Sequence, residues 1–337
     1  MDTTEAEDLV RPLYRNGRYE NPWSPWKAPA FTQLFKFMFL TKSEANIPNE
    51  QELNSKLPVI KPDLSQFKQP PDSGIRHMWI GHATSLVQFE GVTFLTDPVF
   101  SLRCSPSQWV GPKRYRPTPC SVEELPKVDC VVISHNHYDH LDLETVYSLN
   151  KRFGDSLRWY VPVGLKSWMN SCGCTNVVEL SWWEEHTHES GVKFVSTPSQ
   201  HWCKRTVWDD NKALWCSWCV IGSKNKFFFA GDTGYCNIYK TIGKKYGPFS
   251  LATIPIGAYN PRWILAYQHV DPKEAVDIHC DINCKTSIGI HWGTFPMGAK
   301  EFYLEPRDKV KEELKIRDME LSSFITVAHG EILTFNT

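Results

Sequence analysis

Short runs of apolar residues separated by turn residues fill the chain from Arg76 onward and predict a β-rich fold. The pair Glu90 and Gly91 between two such runs predicts a tight turn. A continuous apolar run over residues 128–133 is typical of a strand that is buried on both faces. The strands predicted in this way are residues 78–80, 85–89, 92–95, 128–133, 193–196, 215–221, 226–230, 251–256, 287–290 and 325–327.

Helical patterns are fewer. Residues 144–151 predict one helix, and a second should begin after Asp271, where Asp serves as the N-cap and Pro272 occupies the first turn. With the many strands, this predicts an α/β protein.

The first 72 residues differ from the rest and are predicted to form an N-terminal extension before a main domain over residues 73–337. Within the extension, residues 31–40 are apolar on nearly all sides, since Phe31, Leu34, Phe35 and Met38 recur at helical spacing and Phe37, Phe39 and Leu40 widen the face. About ten residues cannot span a bilayer. The segment is therefore a core helix, a dimer interface or a membrane-surface anchor, and a lipid substrate would favour the anchor.

Composition excludes several classes of protein. The 337 residues are 41% hydrophobic and 22% charged, as in globular proteins. Their formal net charge of −1 shows no nucleic-acid footprint, so no nucleic-acid partner is expected. The acidic start predicts no signal peptide, and no apolar run is long enough for a transmembrane helix. Eleven scattered cysteines without a secretory signal indicate reduced thiols and an intracellular protein.

The segment His135-Asn136-His137-Tyr138-Asp139-His140 follows the buried strand directly and carries four potential metal ligands. This exceeds what one tetrahedral ion needs, so we expect His135 and His137 to bind one ion while Asp139 and His140 turn toward a second. Imidazole and carboxylate ligands without thiolate favour zinc, or a similar ion, in a catalytic role. Three later residues also follow predicted strands and complete the set: His201, Asp232 and His291.

This pattern resembles the metallo-β-lactamase superfamily, and longer motifs are similar to its family of N-acylphosphatidylethanolamine-hydrolysing phospholipases D. The motifs are Gly81-His82-Ala83-Thr84, Thr96-Asp97-Pro98, residues 105–108, residues 111–114, residues 200–205, residues 229–235 and residues 290–294. The resemblance implies an αβ/βα four-layer sandwich with two mixed sheets inside and helices outside. It also implies two zinc ions per chain: one bound by His135, His137 and His201, the other by Asp139, His140 and His291, with Asp232 bridging both. Asp97 would support the ligands.

The resemblance further implies hydrolysis of N-acylphosphatidylethanolamines to phosphatidic acid and N-acylethanolamines. Zinc lowers the pKa of bound water to about 7, so a bridging hydroxide oriented by Asp232 would attack phosphorus. Substrate contacts are expected from Tyr138, Gln268, His269 and Lys204. The expected partners are the phospholipid, a membrane surface and a second copy of the chain in a homodimer, on the cytosolic face of internal membranes such as Golgi or endosome.

Two other enzymatic functions and one non-enzymatic function compete with this hypothesis. A nucleic-acid phosphodiesterase would need a basic face that the net charge does not indicate. A lactone hydrolase would not need the aromatic N-terminal segment. A lipid-binding protein with a residual metal site conflicts with the fact that all seven ligand positions are filled.

Overall fold

The computed structural model describes residues 9–336 except residues 25, 29, 31, 34–35, 38–40, 42 and 297–299. Six residues of the predicted apolar segment lie outside the described residues, so its helix and its anchor role stay predictions: Phe31, Leu34, Phe35, Met38, Phe39 and Leu40. The division into an extension over residues 1–72 and a main domain over residues 73–337 also stays a prediction. Among the described residues, no helix is both long and apolar enough to cross a membrane.

Two mixed seven-stranded sheets form the centre of the molecule. In spatial order the first contains β16 (Ile332–Phe335), β3 (Ile75–Gly81), β4 (Thr84–Phe89), β5 (Val92–Thr96), β6 (Cys130–Val132), β7 (Arg158–Pro162) and β8 (Val177–Leu180). The second contains β15 (Phe324–Ile325), β14 (Cys284–Ile290), β13 (Phe249–Pro255), β12 (Lys226–Phe229), β11 (Ser217–Ile221), β10 (Lys193–Thr197) and β9 (Glu185–Thr187). A separate hairpin pairs β1 (Leu13–Arg15) with β2 (Arg18–Glu20).

Helices accompany the sheets. They are α1 (Glu50–Lys56), α2 (Leu143–Phe153), α3 (Lys166–Ser171), α4 (Ile238–Tyr246), α5 (Arg262–Leu265), α6 (Pro272–Asp281) and α7 (Glu305–Ile316), with short 3-10 turns at Leu64–Lys68 and Gly154–Ser156. The predicted start of α6 is confirmed: Asp271 Oδ1 accepts from the Glu274 backbone N over 2.9 Å, and Glu274 reaches back to the Asp271 N. The predicted α/β sandwich of two mixed sheets is confirmed.

Aromatic side chains fill the space between the two sheets. The Phe94 ring of β5 lies 5.8 Å from the Phe194 ring of β10 and 5.5 Å from the Phe227 ring of β12. Tyr160 of β7 stacks on Phe194 at 4.2 Å. These side chains are fully buried, so the apolar faces of both sheets contribute to a single core.

The strand directions bring the predicted ligands to one edge of the sandwich. In the first sheet β3, β5 and β6 run the same way, and in the second β10, β12 and β14 do. Their carboxyl ends therefore open on one edge of each sheet, where active sites of open α/β sheets are commonly found. The ligand-bearing loops after β6, β10, β12 and β14 begin at these ends.

At the opposite edge, Glu90 joins the two sheets. The predicted tight turn at Glu90 and Gly91 connects β4 to β5, and both residues have positive φ, 46° and 78°. The Glu90 carboxylate accepts backbone N–H groups of Ser223, Lys224 and Asn225 in the β11–β12 turn. Partial burial opposes its ionisation, but these hydrogen bonds and the Ser223 hydroxyl outweigh burial and lower the pKa of Glu90 to about 2.

We expect Glu90→Gln to lower the free energy of unfolding by about 1–3 kcal/mol at neutral pH, because several N–H groups lose a charged acceptor. The pKa of Glu90 is depressed on folding, so its contribution is present above the unfolded pKa of 4.5 and is lost as pH falls toward 2. Urea unfolding across this pH range should show the difference between variant and wild type shrinking with acidity. Glu123 is exposed, so Glu123→Gln is the control. Equal stability of Glu90→Gln and wild type at pH 7 would show that the Glu90 hydrogen bonds do not stabilise the fold.

Candidate metal centre

Three imidazoles from two loops converge on one point. His135 and His137 follow β6, and His201 follows β10. The Nδ1 of His137 lies 2.8 Å from His135 Nε2 and 3.2 Å from His201 Nε2. Burial lowers the pKa of His201 to about 3 and that of His137 to about 4, so both rings are neutral with lone pairs available. This is the protonation state that a metal ligand requires.

A second set of donors lies beside the first. Asp139 Oδ2 is 3.4 Å from His140 Nε2 and 3.5 Å from His291 Nε2. Burial favours neutral imidazoles here too, but the charges of Asp232 and Asp139 outweigh it and raise the pKa of His291 to about 9. The same negative charge would favour a bound cation.

Asp232 stands between the two sets. Its Oδ1 lies 3.1 Å from His291 Nε2, while its Oδ2 lies 3.2 Å from His140 Nε2, 3.7 Å from His201 Nε2 and 4.0 Å from His135 Nε2. Burial opposes its ionisation, but the neighbouring His140 and His291 hold the pKa of this carboxyl well below its usual range. The carboxylate is therefore placed and charged to contact both groups of donors.

The donor atoms fit metal ions. Although they are buried and lie close to one another, His140 Nε2, His291 Nε2 and Asp232 Oδ1 make no hydrogen bond of suitable geometry in the part of the chain that the structure describes. Unpartnered buried polar atoms are costly unless something else binds them. Two groups of residues each offer donor atoms that all lie within 4.8 Å of one another. The first group is His135, His137, His201 and Asp232, and the second is His82, Asp139, His140 and His291. Imidazole and carboxylate donors are the set that zinc and similar ions accept.

Outer hydrogen bonds fix the orientation of the rings. Asp97, which follows β5, lies with its Oδ2 2.6 Å from His140 Nδ1, and its Oδ1 accepts from the Ser134 backbone N over 2.7 Å. His201 Nδ1 is 2.9 Å from the Gln268 backbone oxygen. Each bond leaves the Nε2 atom free to face the cluster. The structure therefore places Asp97 beside the ligand His140, where the resemblance leads us to expect a supporting residue.

His82 was not predicted as a site residue. It lies in the turn between β3 and β4, and its Nε2 is 2.9 Å from Asp139 Oδ2, while its backbone N donates to Thr294 Oγ1 over 2.8 Å. It follows a strand end just as His201 and His291 do, and that position is the signal that could have identified it. His82 and His291 both have positive φ, 54° and 61°, an uncommon backbone conformation for residues other than glycine that is often found at functional sites.

The four predicted substrate-contact residues line one pocket of about 350 Å³ that opens to solvent. The Tyr138 hydroxyl donates to the Arg205 backbone oxygen over 2.9 Å, and Gln268 Oε1 accepts from Trp202 Nε1 over 2.6 Å. His269 Nδ1 lies 3.8 Å from Asp232 Oδ2, and Lys204 Nζ lies 3.7 Å from an Asp210 oxygen. Tyr138 and Gln268 therefore already have protein partners for these atoms, whereas buried His269 Nδ1 has none among the described residues.

The pocket is lined by both polar and apolar side chains. Three of the proposed ligands line it, His137, Asp139 and Asp232. Its less polar lining residues are Phe37, Cys104, Pro112, Trp202, Ala258 and Leu265. Such a lining suits a molecule with a charged group attached to apolar chains.

Comparisons with known proteins agree with the fold. Residues 93–292 match a β-lactamase superfamily domain. N-acyl-phosphatidylethanolamine-hydrolyzing phospholipase D 1 of Caenorhabditis elegans is 44% identical, covering 98% of this chain and 96% of the relative. The mitochondrial N-acyl-phosphatidylethanolamine-hydrolyzing phospholipase D of Saccharomyces cerevisiae is 33% identical, covering 89% of this chain and 72% of the relative.

A solved structure shows the same fold at lower similarity. Igni18, a metallo hydrolase from Ignicoccus hospitalis, superposes with a TM-score of 0.59 at 20% identity and covers 79% of this chain and 100% of its own. The chain therefore has the metallo-β-lactamase fold and belongs to the N-acyl-phosphatidylethanolamine-hydrolysing phospholipase D family, and it is a metal-dependent hydrolase of phosphodiesters.

Proposed function

We propose that this protein is a zinc-dependent phospholipase D that hydrolyses N-acylphosphatidylethanolamines to N-acylethanolamines and phosphatidic acid. One observation carries the proposal: the Asp232 carboxylate lies between two sets of histidine and aspartate donors and lines a pocket that also has apolar side chains in its lining. The full-length similarity to the Caenorhabditis elegans enzyme supports this choice of substrate.

In this proposal the centre holds two zinc ions. His135, His137 and His201 would hold the first, Asp139, His140 and His291 would hold the second, and Asp232 would contact both. Ions bound there would act as Lewis acids toward the phosphate and would make water acidic enough to supply a nucleophile at neutral pH. His82 and Asp97 keep Asp139 and His140 in position through the hydrogen bonds described above.

The chain's own residues define the reaction's geometry. Asp232 is ionised and points both oxygens into the cluster, so it can accept a hydrogen bond from a water placed beside it and orient that water toward phosphorus. The water oxygen adds to phosphorus while the bond from phosphorus to the ethanolamide oxygen breaks. The proton that the water loses ends on the leaving oxygen, which yields the N-acylethanolamine and phosphatidic acid.

Substrate contacts are proposed at four positions on the pocket wall. His269 is the best placed, because its buried Nδ1 faces Asp232 and has no hydrogen-bond partner among the described residues, so it can bind the leaving oxygen or the amide. Lys204 is about two-fifths exposed at the rim and suits a phosphate or a lipid carbonyl. Tyr138 and Gln268 would contact substrate through the ring and the side-chain amide nitrogen, because the Tyr138 hydroxyl and Gln268 Oε1 already have protein partners.

Two further partners belong to the same proposal. A substrate with two acyl chains resides in a bilayer, so the protein works at a membrane surface. A homodimer and a cytosolic face of internal membranes stay predictions from the family resemblance.

Product analysis tests the substrate class. Purified protein should release N-acylethanolamine and phosphatidic acid from N-acylphosphatidylethanolamine, should lose this activity to a chelator, and should regain it with added zinc. A lactone and an RNA offered in parallel should remain uncleaved. Cleavage of the lactone or the RNA in preference to the lipid would replace the proposed function with one of the alternatives.

Another prediction concerns Asp232. We expect Asp232→Asn to reduce turnover by about 10²–10³-fold or more, because the variant keeps the shape but loses the charge that faces both sets of donors. Asp277→Asn on α6, which breaks an ion pair with Arg317 at the end of α7, is the matched control and should retain turnover. Steady-state kinetics with metal analysis decides: full activity of Asp232→Asn with both metals bound would disprove the bridging role.

The third prediction separates the two ions. His135→Ala and His291→Ala should each bind one zinc less per chain, yet both should abolish phosphodiester cleavage, because each removes a ligand of a different ion. Elemental analysis gives the metal content, and structures of the variants identify the vacated position. His188→Ala, on the partly exposed turn after β9, should keep both ions. Loss of the same ion in both ligand variants would show that the division is wrong.

A further inference from the structure

Two loops beside the catalytic pocket carry large apolar side chains that face solvent. Trp109 and Val110 are 90% and 71% exposed at the tip of the first loop, residues 102–113. Val207 and Trp208 are 74% and 76% exposed at the tip of the second loop, residues 204–210. Single exposed apolar residues need no explanation, but paired ones grouped around a pocket indicate a contact surface.

The first loop is held in shape by its own hydrogen bonds. The Cys104 backbone N donates to the Pro112 oxygen over 3.2 Å at the base. The Gln108 side chain accepts from the Arg103 backbone N and donates to the Arg103 oxygen, both over 3.0 Å. The exposure of Trp109 is therefore a property of an ordered loop, not of a fraying one.

The second loop is fixed to the loop that carries the proposed ligands. Asp209 Oδ1 accepts from the backbone N of Arg205 over 3.0 Å and of Thr206 over 2.7 Å. The largely buried Arg205 guanidinium donates to the backbone oxygens of Asn136 over 3.0 Å and Leu141 over 2.6 Å. The position of the second tip is thereby coupled to the metal centre.

Both loops border the same opening. Cys104 and Pro112 at the base of the first loop line the pocket, and so do Lys204 at the start of the second loop and Trp202 just before it. The two apolar tips therefore belong to loops whose bases both form part of the pocket wall.

The charge of the first loop points to an anionic surface. Residues 102–113 contain Arg103 and Lys113 and no aspartate or glutamate. Lys113 is exposed and Arg103 partly so. Tryptophan prefers the interface between lipid and water, and neighbouring cations attract anionic headgroups.

We propose that the tips of loops 102–113 and 204–210 insert into the surface of an anionic phospholipid bilayer and hold the pocket mouth against it. The inference rests on the proposed function, since a phospholipid substrate must enter the pocket from a bilayer. A second copy of the chain seated on the same tips would cover the opening. The chemistry of the site therefore favours the bilayer as the occupant.

Vesicle co-sedimentation tests the proposal without any turnover. The double variants Trp109→Ser with Val110→Ser, and Val207→Ser with Trp208→Ser, should each bind phosphatidylcholine–phosphatidylglycerol vesicles at least about tenfold more weakly than wild type. Lys113→Gln should weaken binding to these vesicles and leave binding to pure phosphatidylcholine unchanged. Ile316→Ser, 75% exposed at the end of α7, is the matched control and should bind like wild type.

Thermal unfolding, metal content and hydrolysis of a short-chain, water-soluble phosphodiester should be unchanged in both double variants. Unaltered vesicle binding in both would overturn the proposal. Sedimentation velocity gives the oligomeric state of the double variants. If they shift from dimer to monomer but still bind vesicles, the two tips form a contact between copies of the chain, and this result would also overturn the proposal. The vesicles contain no N-acylated lipid, so the binding assay does not depend on turnover. Vesicle binding can therefore be tested even if the proposed hydrolysis proves wrong.

Discussion

The buried Asp232 carboxylate is the interaction on which the catalytic edge depends. It lies within 4.0 Å of nitrogens of five histidines: His269, and four from the loops after β6, β10 and β14, which are His135, His140, His201 and His291. A buried charge is tolerated only when it is paired, so the loops must meet around this residue for the edge to be stable. The strand directions in the two sheets make that meeting possible, because the strands that carry these loops end on the same edge.

The two edges of the sandwich have different roles. At one edge Glu90 closes the sheets with hydrogen bonds to a neighbouring turn, which fixes their relative position far from the chemistry. At the other edge, residues outside the proposed ligand set hold the ligands: Asp97 holds His140, the Gln268 carbonyl holds His201, and His82 contacts Asp139. A geometry supported from outside in this way is what a metal centre needs to bind ions with little rearrangement.

Local signals in the sequence were sufficient for much of this account. The Glu90 turn and the capped start of α6 were predicted correctly because turn and cap chemistry acts within four residues. The gathering of all seven proposed ligands at one edge could be expected because each follows an apolar strand. The hairpin of β1 and β2 escaped prediction, since three-residue strands leave almost no periodic pattern. Helix α7, which is mostly polar, also gave little signal. Contacts between distant residues, such as Tyr138 with Arg205 and His82 with Asp139, depend on tertiary packing that no local pattern encodes.

The central claim is that two zinc ions flank Asp232. Anomalous diffraction from crystals of the zinc-loaded protein, recorded on both sides of the zinc absorption edge, tests it most directly. The account predicts two peaks, one among His135, His137 and His201 and one among Asp139, His140 and His291, each beside an oxygen of Asp232. A single peak, or two peaks of which one lies away from Asp232, would contradict it.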